Sequence, residues 1–296
     1  MPIRRAVIIV AMLCAAAASL LRAEEPATVF SGPQVGEKLP ALKVTLAYGQ
    51  ERGKTVDLIE LAANRPTLLV IVNGSNRPAA NLTRCLMNYA EMQTEKLFAG
   101  VVYLDSDLPA AEQYLRQATS WWGVGPPVGI SVDGPEGPGS YGLNRNVNLT
   151  VLVAEKGRVL NNFALIQPSS VDAPKILQEV ITLIGGRVPT IAEIEFLSMP
   201  TQKPANAPWS AAPSNVQMRE LVCAALAAED QTGARSAASA LEQFVHDDKE
   251  RQAILGSTAE FLLSGRGQTA VRERPIVEDL RKWSQAYAPP ARKRGN

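Results

Sequence analysis

The sequence predicts an α/β protein in which helices flank a mixed sheet, followed by a small all-α C-terminal region. Strand-like and helix-like segments alternate from about residue 30 to residue 186. A hairpin pattern near the end of that range adds antiparallel strands, which makes the sheet mixed. Beyond residue 213, apolar residues recur only at helical spacing.

Residues 1–23 are typical of a signal peptide. Arg4 and Arg5 precede the apolar run "AVIIVAMLCAAAASLL", and Ala23 offers a small residue for cleavage. The run is shorter than the roughly 20 residues of a membrane span. We therefore expect an exported protein, periplasmic or secreted. The alternatives are an uncleaved signal segment that holds the protein at the membrane, or lipid attachment at Cys14.

The first part of the α/β region leads from two strands into a polar turn. "ALKVTLA" (residues 41–47) alternates like a half-buried strand, and "PTLLVIVN" (residues 66–73) is continuously apolar, as in a central strand. The turn "NGSNRPAAN" follows, and Pro78 suits the first turn of a helix. Apolar residues then continue at roughly helical spacing: Leu82, Leu86, Tyr89, Met92 and Leu97.

The second part contains two more strands, a hairpin and a closing helix. "GVVYLD" (residues 100–105) and "VGISVD" (residues 128–133) are short apolar strands, with a helix expected over residues 108–122 between them. Residues 148–165 predict a hairpin with its tip at residues 155–157. The next helix has a cap at Ser170 or Asp172 and ends at glycines.

The C-terminal part of the chain changes in composition. Residues 187–213 contain five prolines and predict an extended linker, and residues 214–287 predict an all-helical region. A last helix is expected from Arg272 to Tyr287, with Pro275 in its first turn. Residues 288–296 form a basic tail that we expect to be disordered.

Charge and cysteine content exclude several functions. The formal net charge is +1, which gives no reason to expect nucleic acid as a partner. The single histidine, His246 beside Asp247, does not suit a metal site, so we expect no metal and no cofactor. Signal cleavage leaves only Cys85 and Cys223, too few for a disulfide scaffold, although a disulfide between these two is an alternative.

The order of elements resembles the thioredoxin superfamily, and most closely its alkyl hydroperoxide reductase/thiol-specific antioxidant (peroxiredoxin-like) branch. The resemblance covers about residues 30–186 and rests on "GPQVGEKLPALKV", the strand leading into the Asn73 turn, "GVVYLD", "VGISVDG" and "YGLNRNVNLTVLVAEKGRV". It implies a thioredoxin-like domain over residues 30–186. It also implies redox chemistry by a cysteine at the strand–helix turn.

This chain departs from that pattern at the turn. A helix N-terminus stabilises a thiolate, which is why the family places its cysteines there. The positions that match the two cysteines hold Arg77 and Ala80, and Asn148 stands where the family has a cis-proline. A cis bond before a non-proline residue costs about 2.5–4 kcal/mol, so we expect a trans bond there. We therefore predict a degenerate-site face formed by Asn76, Arg77, Ala80 and Asn148.

Cys85 is the one alternative nucleophile near this turn. It lies seven residues after Pro78, as in a peroxidatic Pro-x-x-x-Thr-x-x-Cys pattern, but Leu82 occupies the threonine place. The helix dipole fades within the first turn, so we expect a structural, half-buried thiol. Arg77 or Arg84 would have to lower its pKa for catalysis.

Two functions follow from these observations. The first is an exported thioredoxin-like pseudoenzyme without dithiol catalysis, which uses the degenerate-site face to bind an unknown protein or peptide partner. The alternative is a thiol oxidoreductase or peroxidase of the alkyl hydroperoxide reductase type that uses Cys85. The missing cysteines favour the first, so the sequence leaves open whether the chain is an enzyme.

Overall fold

The central strand of the sheet is buried on both faces, as its continuous apolar sequence predicts. All six of its residues, Thr67–Val72, are buried. The computed structural model of the protein describes residues 29–74, 76–117, 125–199 and 215–287. Four predicted features lie wholly or partly outside these residues: the signal peptide, the end of the helix expected over residues 108–122 (with Trp121 and Trp122), the linker from residue 200 onward, and the basic tail.

Within the described residues, seven strands form one sheet in the order β2-β1-β5-β4-β3-β6-β7. The strands are β1 (Lys43–Leu46), β2 (Thr55–Asp57), β3 (Thr67–Val72), β4 (Phe98–Tyr103), β5 (Val128–Ser131), β6 (Leu149–Glu155) and β7 (Arg158–Leu165). β3, β4 and β5 run parallel, and the other neighbouring pairs are antiparallel. The mixed sheet, its flanking helices and the terminal hairpin confirm the predicted α/β architecture.

The helices cover both faces of this sheet and continue into the C-terminal region. They are α1 (Leu58–Ala62), α2 (Arg77–Glu91), α3 (Leu108–Gln117), α4 (Ala173–Ile184), α5 (Ile191–Leu197), α6 (Val216–Ala227), α7 (Gln231–Val245), α8 (Lys249–Leu262), α9 (Gly265–Val271) and α10 (Val277–Tyr287). No helix in the described part of the chain is both long enough and apolar enough to cross a bilayer.

Alternation along β3 divides its side chains between two cores. Leu68, Val70 and Val72 belong to the larger core, which also contains buried residues of α2 and α4, whereas Leu69 and Ile71 belong to a smaller core on the other face. The larger core continues without interruption into the helical region as far as α10. The helical region therefore shares one apolar core with the sheet.

The predicted extended linker is wrong for residues 191–197, which form α5. Thr190 and Glu193 make a reciprocal capping box at its start, and five of its seven residues are buried. α5 packs against α2, α6 and α9. The structure does not describe residues 200–214, so the rest of the predicted linker and the domain boundaries stay predictions.

The predicted last helix is too long at its N-terminal end. Residues 272–276 are a turn between α9 and α10, and α10 begins at Val277. Pro275 explains the break, because proline disfavours helical backbone in the residue before it and supplies no N–H group.

Candidate functional site

The candidate site lies where β3 ends, at the edge of the sheet where β4 also ends and β6 begins. Val72, the last residue of β3, pairs with Tyr103 at the end of β4 and with Leu149 at the start of β6. The next residue, Asn73, donates its main-chain N–H to the Asn148 oxygen at 2.9 Å. The turn before α2 is therefore fixed against the start of β6.

Asn76 begins α2 as its N-cap. Its Oδ1 atom accepts a hydrogen bond from the Ala79 N–H at 2.8 Å, and Arg77 and Pro78 form the start of the first turn. That turn contains no acidic residue, so no carboxylate of the helix compensates its positive end. The Arg77 side chain is exposed and adds a further positive charge.

Asparagine side chains fasten this edge from two directions. Asn73 Nδ2 donates to the main-chain oxygens of Asn144 and Arg145, at 3.4 and 3.2 Å. Asn148 Nδ2 donates to the Ile166 oxygen at 2.7 Å. The amide donors of these two residues are thus used within the protein, which connects the turn to residues 144–145 and Asn148 to Ile166.

The predicted face residues lie at the start of α2 and just before β6, and they differ in exposure. Asn76 and Asn148 are half-buried, Arg77 is exposed, and Ala80 lies half-buried at the end of the first turn of α2. Two exposed apolar side chains that the sequence analysis missed follow the hairpin, Ile166 at 44% and Val171 at 80% exposure. In the sequence, both are apolar residues that fit neither a strand alternation nor a helical spacing, and this feature could have indicated them.

Asn148 uses its main-chain N–H, the group that a proline lacks, in a hydrogen bond. Its N–H donates to the Leu165 oxygen at 3.0 Å and so extends the β6–β7 ladder by one residue. No cis peptide bond occurs among the described residues, which agrees with the expected trans bond before Asn148.

Cys85 is fully buried in α2. Its exposure is 0%, and burial raises the pKa of its thiol to about 12, which a hydrogen bond with Ser198 only partly offsets. Ser198 directly follows α5, and a helix C-terminus carries negative partial charge that disfavours a thiolate. Cys85 therefore stays a neutral thiol at physiological pH.

Cys223 is the second buried cysteine. Burial raises the pKa of its thiol well above the usual value, and the charge of Glu193 acts in the same direction. Both cysteines are free thiols, so the disulfide considered from the sequence is not formed. Neither thiol lies at the turn before α2.

A buried polar network surrounds Cys85 instead of a catalytic arrangement. Arg84, with 2% exposure, donates to the Ser198 oxygen at 2.7 Å and to Asn81 Oδ1 at 3.1 Å. Asn88 Nδ2 donates to the Leu197 oxygen at 2.7 Å. Burial lowers the pKa of Arg84 to about 10, so it remains charged at neutral pH. Arg84 thus fastens α5 instead of activating the thiol.

A second connection joins α2 to α6. Arg219, with 0% exposure, places Nη1 2.7 Å from Glu91 Oε2 and 3.3 Å from the Asn88 oxygen. The sequence analysis missed this network, although Arg84, Asn88 and Glu91 follow one another at spacings of four and three residues along one helix face.

The described residues contain no group of three or more histidine, cysteine or acidic side chains placed to hold a metal ion. His246 lies 3.7 Å from Asp247 Oδ1, and the two side chains are 80% and 97% exposed. Water competes fully for such groups, so this pair has no feature of a metal centre.

Comparisons with known proteins find likeness in solved structures only. No protein-family model matches the chain, and no curated protein matches it. A putative thiol:disulfide interchange protein DsbE from Chlorobium tepidum is 18% identical, with 51% of this chain and 99% of that chain covered and a TM-score of 0.41. A peroxiredoxin-like protein from Aquifex aeolicus is 17% identical, with coverages of 53% and 91% and a TM-score of 0.36. A thiol peroxidase from Chromobacterium violaceum is 17% identical, with coverages of 53% and 93% and a TM-score of 0.32.

Proposed function

We propose that this chain is an exported thioredoxin-fold protein that binds a protein or peptide partner through the degenerate-site face and performs no dithiol chemistry. The observation that carries the proposal is the separation of thiol and site. The turn from Asn73 to Ala80 has no cysteine, and Cys85 is fully buried further along α2.

The chemistry of thiols supports the non-catalytic part of the proposal. The thiolate is the nucleophile in disulfide exchange and in peroxide reduction, so a reactive cysteine needs a low pKa and access to solvent. Cys85 has neither, because its pKa is raised to about 12 and its side chain has no exposed surface. Catalysis by Cys85, the alternative function, would require α5 to leave α2 first.

The character of the face supports the binding part. Arg77 supplies an exposed positive charge at the uncompensated N-terminus of α2. Ile166 and Val171 supply exposed apolar surface after β7, the strand whose end pairs with the start of β6. A polypeptide with acidic and apolar side chains matches both features.

The export part of the proposal rests on Arg4, Arg5 and the apolar run that follows them, which together are typical of a signal peptide. N-terminal sequencing of the protein recovered from outside the cytoplasm tests this part, and the proposal expects a mature chain that begins close to Glu24. Recovery of the full-length protein in the cytoplasm only would contradict it.

The binding part is tested with reduced, carboxymethylated α-lactalbumin, a permanently unfolded acidic polypeptide. We expect labelled probe to bind the wild-type protein, as seen by fluorescence anisotropy, and Arg77→Glu to weaken binding severalfold. Arg281→Glu is the matched control, because Arg281 is an exposed arginine on α10 of the helical region. Equal effects of the two charge reversals, or no binding by the wild type, would contradict the proposal.

The catalytic alternative has its own assay. Insulin reduction and hydroperoxide turnover are measured with a thiol donor for the wild type and for a Cys85→Ser/Cys223→Ser variant. We expect both proteins to match the background rate without protein. Turnover that depends on the cysteines would favour the thiol oxidoreductase or peroxidase alternative.

A further inference from the structure

The turn before α2 carries a reactive pair of residues that the binding function does not use. Asn73 and Gly74 form the chain's single Asn-Gly dipeptide. A glycine after asparagine leaves its main-chain nitrogen unhindered, because no Cβ restricts its approach to the asparagine side chain. The two groups that can react with each other are therefore the carboxamide carbon of Asn73 and the nitrogen of Gly74.

The Gly74 nitrogen is available for reaction. Gly74 is exposed, and its N–H donates no hydrogen bond to any residue that the structure describes. In contrast, the N–H groups of Asn73 and Asn148, on either side of the same contact, are both held in hydrogen bonds. Among the three main-chain donors of residues 73, 74 and 148, only the Gly74 nitrogen has no hydrogen-bond acceptor in the described part of the chain.

We propose that Asn73 is a deamidation site that converts the positively charged degenerate-site face into a neutral, loosened one. The Gly74 nitrogen loses its proton and attacks Cγ of Asn73. The Cγ–Nδ2 bond breaks, ammonia leaves, and a succinimide ring forms. Water then opens the ring to aspartate or isoaspartate. Water is the only co-reactant, and no group is oxidised or reduced.

The hydrogen bonds of Asn73 give this reaction a structural consequence. The Nδ2 atom donates to the Asn144 and Arg145 oxygens at 3.4 and 3.2 Å. A carboxylate has no proton to donate, and its oxygens would face two carbonyl oxygens of like partial charge. The product therefore loses the connection between the turn and residues 144–145.

The charge of the product also changes the face. A carboxylate at residue 73 lies just before the N-terminus of α2, where the helix dipole favours an anion. Its negative charge offsets that of Arg77, which is exposed at the start of the same helix. This inference needs no partner and stands independently of the proposed binding function.

The site is tested by ageing the folded protein in mildly alkaline buffer and mapping its peptides by mass spectrometry, with isoaspartate detected by electron-based fragmentation. We expect the amide-to-acid mass shift at residue 73, and no shift at Asn146, an exposed asparagine that precedes Val147. Asn73→Gln keeps a carboxamide but closes the ring poorly, so we expect the product to be lost. Gly74→Ala is unsuitable, because Gly74 has a φ of +111° and an added Cβ would lie 3.2 Å from Asn148 Oδ1.

The variant Asn73→Asp tests whether the turn loses its connection to residues 144–145. We expect faster hydrogen exchange at the Val147 N–H, which donates to the Asn144 oxygen at 3.0 Å beside the lost contact. Unchanged exchange would overturn the proposed loosening. The proposal is also overturned if residue 73 is modified only after unfolding in urea, or if Asn146 is modified as fast in the folded protein.

Discussion

Arg84 and Ser198 connect α2 to the end of α5. The Arg84 Nη1 atom lies 2.7 Å from the main-chain oxygen of Ser198, the C-cap of α5. Together with the Asn88–Leu197 hydrogen bond of 2.7 Å, this contact satisfies carbonyl groups at the end of α5 that have no partner within the helix. Cys85, between these two side chains in sequence, is buried by the same helix.

Replacing Arg84 by methionine should therefore destabilise the protein. The apolar side chain keeps much of the packing, but the buried Ser198 oxygen loses a charged donor, which costs about 2 kcal/mol. Urea denaturation measures the change in the free energy of unfolding. Arg77→Met is the matched control, because Arg77 is exposed and its loss should change stability by less than about 0.5 kcal/mol. Equal stability of the two variants would contradict the assigned role of Arg84.

The buried pair Glu91–Arg219 should respond strongly to loss of its acidic partner. Glu91→Gln removes the carboxylate that lies 2.7 Å from the fully buried Arg219 guanidinium, and breaking a buried ion pair costs about 3–5 kcal/mol. Glu51→Gln is the control, since Glu51 forms an exposed pair with Lys54 whose loss should cost under about 1 kcal/mol. The prediction fails if thermal melts of the two variants shift alike.

Placing proline at residue 148 should destabilise this chain. Proline removes the N–H that donates to the Leu165 oxygen and the side chain that holds the Ile166 oxygen. We expect Asn148→Pro to lower the free energy of unfolding by about 2–3 kcal/mol, and Asn148→Ala, which keeps the N–H, by about 1 kcal/mol. A proline variant as stable as the wild type would show that neither hydrogen bond of Asn148 matters for stability.

Stability should fall as the pH rises above about 8.5, the usual pKa of a cysteine thiol. The folded protein keeps Cys85 neutral because burial raises the pKa of its thiol to about 12. In the unfolded chain the thiol ionises first, so the unfolded state binds fewer protons and becomes favoured as the pH increases. One pH unit above the usual pKa, each buried thiol should cost about 1.4 kcal/mol.

The variant Cys85→Ala isolates this effect from other titrations. Urea midpoints of the variant and the wild type are compared at about pH 7.5 and 9.5, below and above the usual thiol pKa. We expect the wild type to lose more stability over this interval, by about 1.4 kcal/mol. Parallel losses would mean that Cys85 ionises in the folded protein.

The sheet could be predicted from the sequence because its strands carry local signals. The continuous apolar run of β3 and the β6–β7 hairpin with Lys156-Gly157 at its tip each correspond to one observed element. The start of α2 was also predicted, since Pro78 suits the first turn of a helix.

The rest could not be read from local signals alone. The prolines that follow α5 in the sequence favour an extended segment, so this helix was not predicted. The sequence nevertheless contains its capping box, formed by Thr190 and Glu193. The burial of Arg84 depends on α5 and the sheet meeting at α2, which no local pattern encodes. The hydrogen bond that Asn148 Nδ2 donates likewise depends on where the hairpin places the Ile166 oxygen, at its far end.

The most direct test of the central claim is the alkylation rate of Cys85 in the folded protein. Native protein is treated with iodoacetamide at neutral pH, and modification at Cys85 is followed by peptide mass spectrometry, with protein unfolded in urea as the reference. We expect Cys85 to stay unmodified in the native protein and to react fully in urea. Native Cys85 that reacts as fast as an unfolded thiol, or faster, would contradict the non-catalytic proposal and favour the thiol oxidoreductase or peroxidase alternative.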